Sequence, residues 1–417
     1  MAALAALALI ALVYGLVSRS AERANLSAPM AFTAAGVLAG PAVLGAVEVD
    51  LTGGPALILA EVALVVVLFS DAARIDLRAL PGNAALPGRL LGAGMPLTIG
   101  LGVLGAALLI TPLELWEAAI VAAVLAPTDA ALGAAVASNE QLPKRIRQTL
   151  NVESGLNDGL SVPFLTLFIA LAVEEGAAGA GSWVGFAAEQ IGVGTLAGLA
   201  IGGLGGVLAE QAIRRSTVTG AFQQIAFLSL AVLAWAVADG LGGNGFIAAF
   251  VAGLAAGRVT ESCGQMVFDF TEDEGQVLSL SVFLLFGAAA PEFLGALTWP
   301  MAAFGLLSLT LVRMVPVAIA LVGSGLRWRS VAFLGWFGPR GLASIILALV
   351  VVEEEPGLPA LDAILAVMTF TVLVSIAAHG LSARPLAGAY GRWAAALPAD
   401  AAEMSEVAEL PVRGAPR

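Results

Sequence analysis

The run Asn151-Val152-Glu153-Ser154-Gly155-Leu156-Asn157-Asp158-Gly159 places two carboxylates inside an otherwise apolar segment, about 146–173. At helical pitch Ser154 and Asp158 share one face, as do Glu153 and Asn157, and Ser161 extends the first stripe. Counted from Ile146 at 1.5 Å per residue, Asp158 lies roughly 18 Å along the helix, near the middle of a bilayer. A carboxylate at that depth must be protonated, paired or bound to a cation. Glu153 and Asp158 therefore need different explanations. Arg313 lies in another apolar segment, stays charged at any accessible pH and needs a permanent counter-ion. Glu153 is assigned to it as a structural ion pair. Asp158 is then free to alternate between a proton and a monovalent cation, so that binding H⁺ excludes Na⁺ and binding Na⁺ releases H⁺. Hard cations favour oxygen ligands, and Ser154 together with Thr128 would replace part of the water shell of a Na⁺ ion at Asp158.

Thr128 belongs to Ala126-Pro127-Thr128-Asp129, which interrupts the apolar segment 114–137 near its middle. Gly335-Trp336-Phe337-Gly338-Pro339-Arg340-Gly341 interrupts the segment 330–352 in the same way. Proline removes a backbone donor and disfavours helix for the residue before it, so both segments are expected to be broken. The two occupy corresponding places if the chain holds two six-helix repeats of inverted topology, a pattern that puts a substrate site at the midplane. Asp129 and Arg340 each offset a dipole end of a half-helix, and Asp129 is a further candidate in the ion path. So is Asp71, at the inner end of the segment 55–73 that also holds Glu61; it lines the ion route or pairs with Arg74. Asp269, Glu272, Asp273 and Glu274 read as a solvated helix start, and His379 as a residue near a helix C-terminus.

The elements that must position these groups are membrane helices. The 417 residues are 59% hydrophobic and 12% charged, where a soluble domain would carry about twice that charge. About thirteen apolar segments of spanning length follow one another, near 2–17, 28–45, 55–73, 89–110, 114–137, 146–173, 183–212, 219–239, 244–258, 265–288, 299–323, 330–352 and 359–381. Of the 19 Lys and Arg residues, all but Arg313 and Arg340 fall in alternate gaps or the C-terminal tail. Arg19 and Arg23 lie in the first gap; Arg74, Arg78 and Arg89 in the third; Lys144, Arg145 and Arg147 in the fifth. The gaps between hold acids such as Glu48, Asp50, Glu174, Glu175, Glu292 and Glu353 to Glu355. Basic loops stay cytoplasmic, which predicts an outer N-terminus and a cytoplasmic C-terminus. Met1 to Val17 lacks a basic leader and is expected to remain as a helix. The net charge of −12 argues against nucleic acid as a partner. The single Cys263 and single His379 exclude an internal disulfide, a His-based metal cluster and His-based catalysis. Residues 386–417 mix Pro, Ala and acids and are expected to be a disordered tail.

Pro127-Thr128-Asp129 followed by Glu153-Ser154-Gly155-Leu156-Asn157-Asp158-Gly159 resembles the monovalent cation:proton antiporters of the first cation/proton antiporter family. Leu311-Val312-Arg313 and Gly338-Pro339-Arg340-Gly341 look like its two arginine motifs, and Ala378-His379-Gly380-Leu381-Ser382 like its last-helix signature. The likeness covers about residues 5 to 385. It implies an all-α polytopic transporter of the plasma membrane, needing no cofactor. Within the antiporter domain, 1–385, a moving core (about 89–173 and 299–381) would cross at the two breaks. A static dimerisation scaffold (about 2–73 and 183–288) would hold a homodimer. Asp158 would be the ion carrier, Asn157 its structural neighbour and Glu153–Arg313 a bridge. Asn at 157 looks like the electroneutral branch, exchanging one cation for one proton. The chain departs from the family where Asp71-Ala72-Ala73 stands in place of a frequent glycine.

The leading expectation is exchange of Na⁺ or Li⁺ for H⁺, with K⁺/H⁺ exchange as the runner-up and a pure channel a further alternative. An intramembrane aspartyl protease would use Asp129 and Asp158 as its dyad. Such enzymes need a Gly-x-Gly-Asp context, which Leu156-Asn157-Asp158 lacks.

Overall fold

The computed structural model describes residues 2–47, 54–75, 85–111, 113–175, 181–260, 265–355 and 357–407. Glu48, Asp50, Arg78, Cys263, Arg413 and Arg417 lie outside them, as do the side chains of Glu174, Glu175, Asp269, Glu272 and Asp273. Every regular element among the described residues is helical. In chain order these are α1 (Ala2–Arg23), α2 (Ala28–Ala39), α3 (Gly54–Ala73), α4 (Ala85–Leu109), α5 (Leu115–Val124), α6 (Ala130–Ala137), α7 (Lys144–Glu175) and α8 (Gly181–Arg214). They continue as α9 (Gly220–Gly240), α10 (Gly245–Val259), α11 (Gln265–Phe293), α12 (Trp299–Leu309), α13 (Leu311–Ala320), α14 (Trp328–Trp336), α15 (Leu342–Glu354) and α16 (Leu361–Ala394).

Eight helices among the described residues are long and apolar enough to cross a membrane, fewer than the segments expected from sequence. The shortfall has a physical cause. The segments 114–137 and 330–352 are each split into two short helices, as their prolines require, Ala28–Ala39 and Gly245–Val259 are short apolar helices, and α1 is apolar over Ala5–Ala21.

Two helices run through the middle of the bundle. The part of α3 from Ala63 to Ala73 and α15 from Leu342 to Val352 are buried. Around them α10 and α11 pack on α3, α2 packs on α11, and α8 and α9 pack on α10. On the other side α4 packs on α5 and α13, α5 on α7, and α12 on α16. α8 reaches α10 through Gly194, Gly198 and Gly202, where an added Cβ would strike the backbone of Asn244, Ala248 and Ala252, and through Gly206, where it would strike the Val259 side chain. Its opposite face exposes Leu196, Leu199, Leu204 and Leu208, an apolar surface suited to lipid.

The expectation of a disordered tail from Leu386 is corrected for residues 386–407. α16 continues to Ala394, and Ala383, Ala387, Tyr390 and Ala394 are buried on one face. These residues recur at helical spacing, a periodicity hidden beneath a loop-like composition. Beyond it a turn of 3₁₀ helix, Ala402–Met404, buries Glu403 to 1% exposure. His379 likewise does not sit at a helix end: it is buried within α16, fifteen residues before Ala394.

Candidate functional site

The two broken segments meet. The Asp129 N–H donates to the Pro339 carbonyl at 2.8 Å, which ties one break to the other. Each break leaves the carbonyls of one half-helix and the N–H groups of the next without helical partners. Arg340 is fully buried and serves the carbonyl end: its Nη1 donates to Ala126 O at 2.9 Å and to Pro127 O at 3.0 Å. Asp129 serves the N–H ends of both segments. Its Oδ1 accepts from Leu132 N at 2.9 Å in α6, and its Oδ2 accepts from Leu342 N at 2.7 Å at the start of α15. A cation at carbonyl ends and an anion at N–H ends both follow the helix dipole. Gly341 is required by this contact, because a Cβ there would overlap the Asp129 carboxylate. At Gly338 a Cβ would crowd the Arg313 guanidinium and Thr128.

α7 passes the crossing with its polar run. Thr128 Oγ1 and Ser154 Oγ lie 3.2 Å apart, and Asn157 Nδ2 donates to Thr128 Oγ1 at 2.6 Å. Thr128, Ser154, Asn157 and Asp158 are all buried. Asp158 is one helical turn beyond Ser154 on the same face. A cavity of about 10 Å³ opens beside Ser154, lined also by Asn151, Leu150, Gly133 and Phe337. That is about the space of one water molecule. On another face of α7, Glu153 Oε1 lies 2.6 Å from Arg313 Nη2. Both side chains are 3% exposed, so each charge is buried with the other as its neutralising partner. Asp71 backs onto α7 opposite Gly155, the residue after Ser154.

Seven of the residues singled out in the sequence thus fall into three contacts: Thr128 with Ser154 and Asn157, Glu153 with Arg313, and Asp129 and Arg340 with the backbone of the breaks; Asp158 and Asp71 lie on α7 and against it, outside these three. Ser375 and Glu117 escape sequence reasoning, and His379 takes a place other than the helix end expected of it. Ser375 Oγ accepts from the Arg340 N–H at 2.6 Å and lies 3.1 Å from His379 Nδ1, while His379 Nε2 lies 3.0 Å from the Trp336 carbonyl. Ser375 and His379 fix the segment leading into Arg340 against α16. Their spacing of one helical turn was the available signal. Glu117, buried at the start of α5, accepts from Glu114 N at 2.8 Å and from Ala360 N at 3.1 Å, tying α5 to the loop before α16.

This arrangement offers buried oxygens and an ionisable carboxylate at a point where helix backbone is unwound. The family model described as sodium/hydrogen exchanger, transmembrane, matches residues 7–389. The K(+)/H(+) antiporter NhaP2 of Shewanella oneidensis is 28% identical over 385 residues, covering 90% of this chain and 64% of that protein. The K(+)/H(+) antiporter NhaP of Alkalimonas amylolytica is 25% identical over 391 residues, covering 92% of this chain and 65% of that one. The chain therefore spans just under two thirds of the length of these relatives. The solved structure of the sodium proton antiporter MjNhaP1 from Methanocaldococcus jannaschii superposes with a TM-score of 0.75 at 20% identity, over 93% of this chain and 98% of that one. The fold is that of MjNhaP1.

Proposed function

Because the chain belongs to the sodium/hydrogen exchanger family, we propose that it exchanges a monovalent cation, Na⁺ or Li⁺, for H⁺ by alternating access, with both ions competing for Asp158. The observation that carries this reading is the joined pair Thr128–Ser154, steadied by Asn157, at the crossing of two broken helices beside a buried carboxylate. A dehydrated cation needs several oxygens in place of water, and the Thr128 and Ser154 hydroxyls together with the Asp158 carboxylate are of the right kind. When Asp158 is protonated its charge is gone and the cation leaves. When the cation binds, the proton leaves. Asn157 acts on Thr128 and takes no part in charge transfer.

In this reading Glu153–Arg313 is a fixed bridge, and Arg340 and Asp129 pin the crossing. Both Asp129 oxygens already accept backbone N–H groups, which favours a positioning role over ion carriage or half of a proteolytic dyad. The helices α4–α7 and α12–α16 form the moving core, and α1–α3 with α8–α11 the scaffold, through which two copies pair. The chain sits in the plasma membrane with its basic loops and C-terminus in the cytoplasm. The names of the Shewanella and Alkalimonas relatives favour a second reading, K⁺ as the exchanged cation at the same site.

Dye-monitored proton flux in proteoliposomes, with Na⁺, Li⁺ and K⁺ pulsed in turn, tests the proposal. Proton flux with Na⁺ and Li⁺ and none with K⁺ is expected. Flux with K⁺ alone moves the conclusion to the second reading, and cation flux without any coupled proton movement makes the protein a channel.

A further inference from the structure

The last turn of α14 and the C-terminal part of α16 enclose a groove that ion exchange does not use. It holds about 330 Å³ and is walled chiefly by Phe333, Trp336 and Phe337 on one side and Leu386, Tyr390 and Trp393 on the other. At its mouth the Arg329 guanidinium lies 5.6 Å from the ring centre of Trp328 and 5.5 Å from that of Trp393. The π faces attract the cation without neutralising it. No carboxylate lies within ion-pair distance of Arg329 among the described residues. Trp328 is 74% exposed at the start of α14, and Arg327, Arg384 and Arg392 belong to the same basic end of the bundle. Tryptophan and arginine at the ends of apolar helices mark the boundary between membrane and water.

An apolar trough with a cationic mouth at that level matches a molecule with a hydrocarbon chain and a phosphate. A soluble phosphate would engage Arg329 and leave the aromatic walls uncovered. We propose that this groove binds an anionic phospholipid from the leaflet that meets the basic loops, its phosphate on Arg329 and an acyl chain against Phe333, Trp336 and Leu386. The groove reaches the exchange site through its floor. Phe337 lines both the groove and the small cavity beside Ser154. Trp336 donates its indole N–H to Ser382 at 3.0 Å and gives its carbonyl to His379 at 3.0 Å. A lipid seated here braces the turn that leads into Arg340, so exchange is faster in anionic bilayers. Only this last step rests on the exchange reading.

Native mass spectrometry of the full chain with phosphatidylglycerol or phosphatidylcholine reads binding independently of transport. The wild type is expected to retain phosphatidylglycerol in preference. Arg329→Gln should weaken that retention about fivefold, the worth of one arginine at an anionic surface. Ala389→Phe, which fills the trough without altering charge, should displace the lipid too. In proteoliposomes, phosphatidylglycerol should raise cation-driven proton flux of the wild type and leave Arg329→Gln at its phosphatidylcholine rate, with the two proteins equal in phosphatidylcholine alone. Equal retention by all three proteins overturns the site. Loss in Arg329→Gln but not in Ala389→Phe reduces it to a surface anion contact and overturns the trough. A change of oligomeric mass in place of lipid loss makes the groove a protein contact and equally overturns the proposal. Selective retention without any flux in any lipid supports the site and instead counts against ion exchange.

Discussion

Asp158 and Glu153 are both buried carboxylates on α7, and their surroundings separate them. Glu153 faces Arg313, a cation that never loses its proton. Asp158 shares its face with Ser154 and is the group proposed to titrate. Asp158→Asn keeps size and hydrogen bonding and removes the ionisable group. Exchange should fall to the level of protein-free vesicles while folding and insertion persist, and substantial Na⁺-driven proton efflux from the folded variant would exclude Asp158 as carrier. For the bridge, breaking one side of a buried ion pair costs about 3–5 kcal/mol in the limiting case, because the other charge is stranded. Glu153→Gln and Arg313→Gln should each lower thermal stability, and the double variant should recover part of the loss. Strictly additive losses in that cycle would contradict the contact. The residue types of the site were legible because charge in an apolar helix has few explanations. Their backbone partners were not. The carbonyls of Ala126 and Pro127 that receive Arg340, and the Leu342 N–H that meets Asp129, are far away in sequence and carry no side-chain signature.

At the scale of elements, proline and charge together announced the two breaks, and the breaks fall where they were expected, after Val124 and after Trp336. The C-terminal elements were misread because composition was weighed and periodicity was not. Tyr390 stacks on Phe333 with ring centres 4.3 Å apart and donates to Ser330 Oγ at 2.8 Å. Glu403 completes the join: its Oε1 accepts from Arg327 N at 2.8 Å and Ser330 Oγ at 2.7 Å, at the N-terminus of α14. Arg145, on α7, donates to the carbonyl of Ala402, so the turn clips α7 to α14. Burial alone would raise the Glu403 pKa; the hydrogen bonds from Arg327 and Ser330 and the Arg327 charge outweigh it and hold the carboxyl below its ordinary value. A depressed folded pKa adds stability above the unfolded value, about 4.3, and that stability is lost as pH falls through the folded value. Glu403→Gln should therefore cost about 1.5–3 kcal/mol near pH 7, the worth of hydrogen bonds to a charged group. The gap to wild type should close as pH drops below about 4. Thermal unfolding and hydrogen exchange of residues 395–407 across pH 3 to 8 measure both effects; a pH-independent gap would mean the charge is not what holds the turn.

For the whole molecule, the alternation of basic and acidic gaps between apolar segments shows at once that the chain is a bundle of membrane helices, while which helices pack on which is a matter that no local pattern encodes. Its energetics turn on how many groups change charge in a cycle. In the proposed cycle Glu153 is held by Arg313, Asn157 is uncharged and both Asp129 oxygens are engaged by backbone, so Asp158 is the group proposed to exchange a proton for a cation. If one carboxylate releases one proton for each monovalent cation bound, the net charge moved per cycle should be zero and a membrane potential should exert no drive. Single-site competition also means that apparent Na⁺ affinity falls about tenfold per pH unit well below the Asp158 pKa. A K⁺/valinomycin potential imposed on proteoliposomes, with Na⁺ equal on both sides and internal pH followed by dye, should leave pH unchanged beyond the leak of protein-free vesicles. Acidification or alkalinisation that follows the sign of the potential would show electrogenic exchange and require a second titrating group. Asp71, buried against α7 opposite Gly155, would then be the first residue to neutralise, and Asp129 the next.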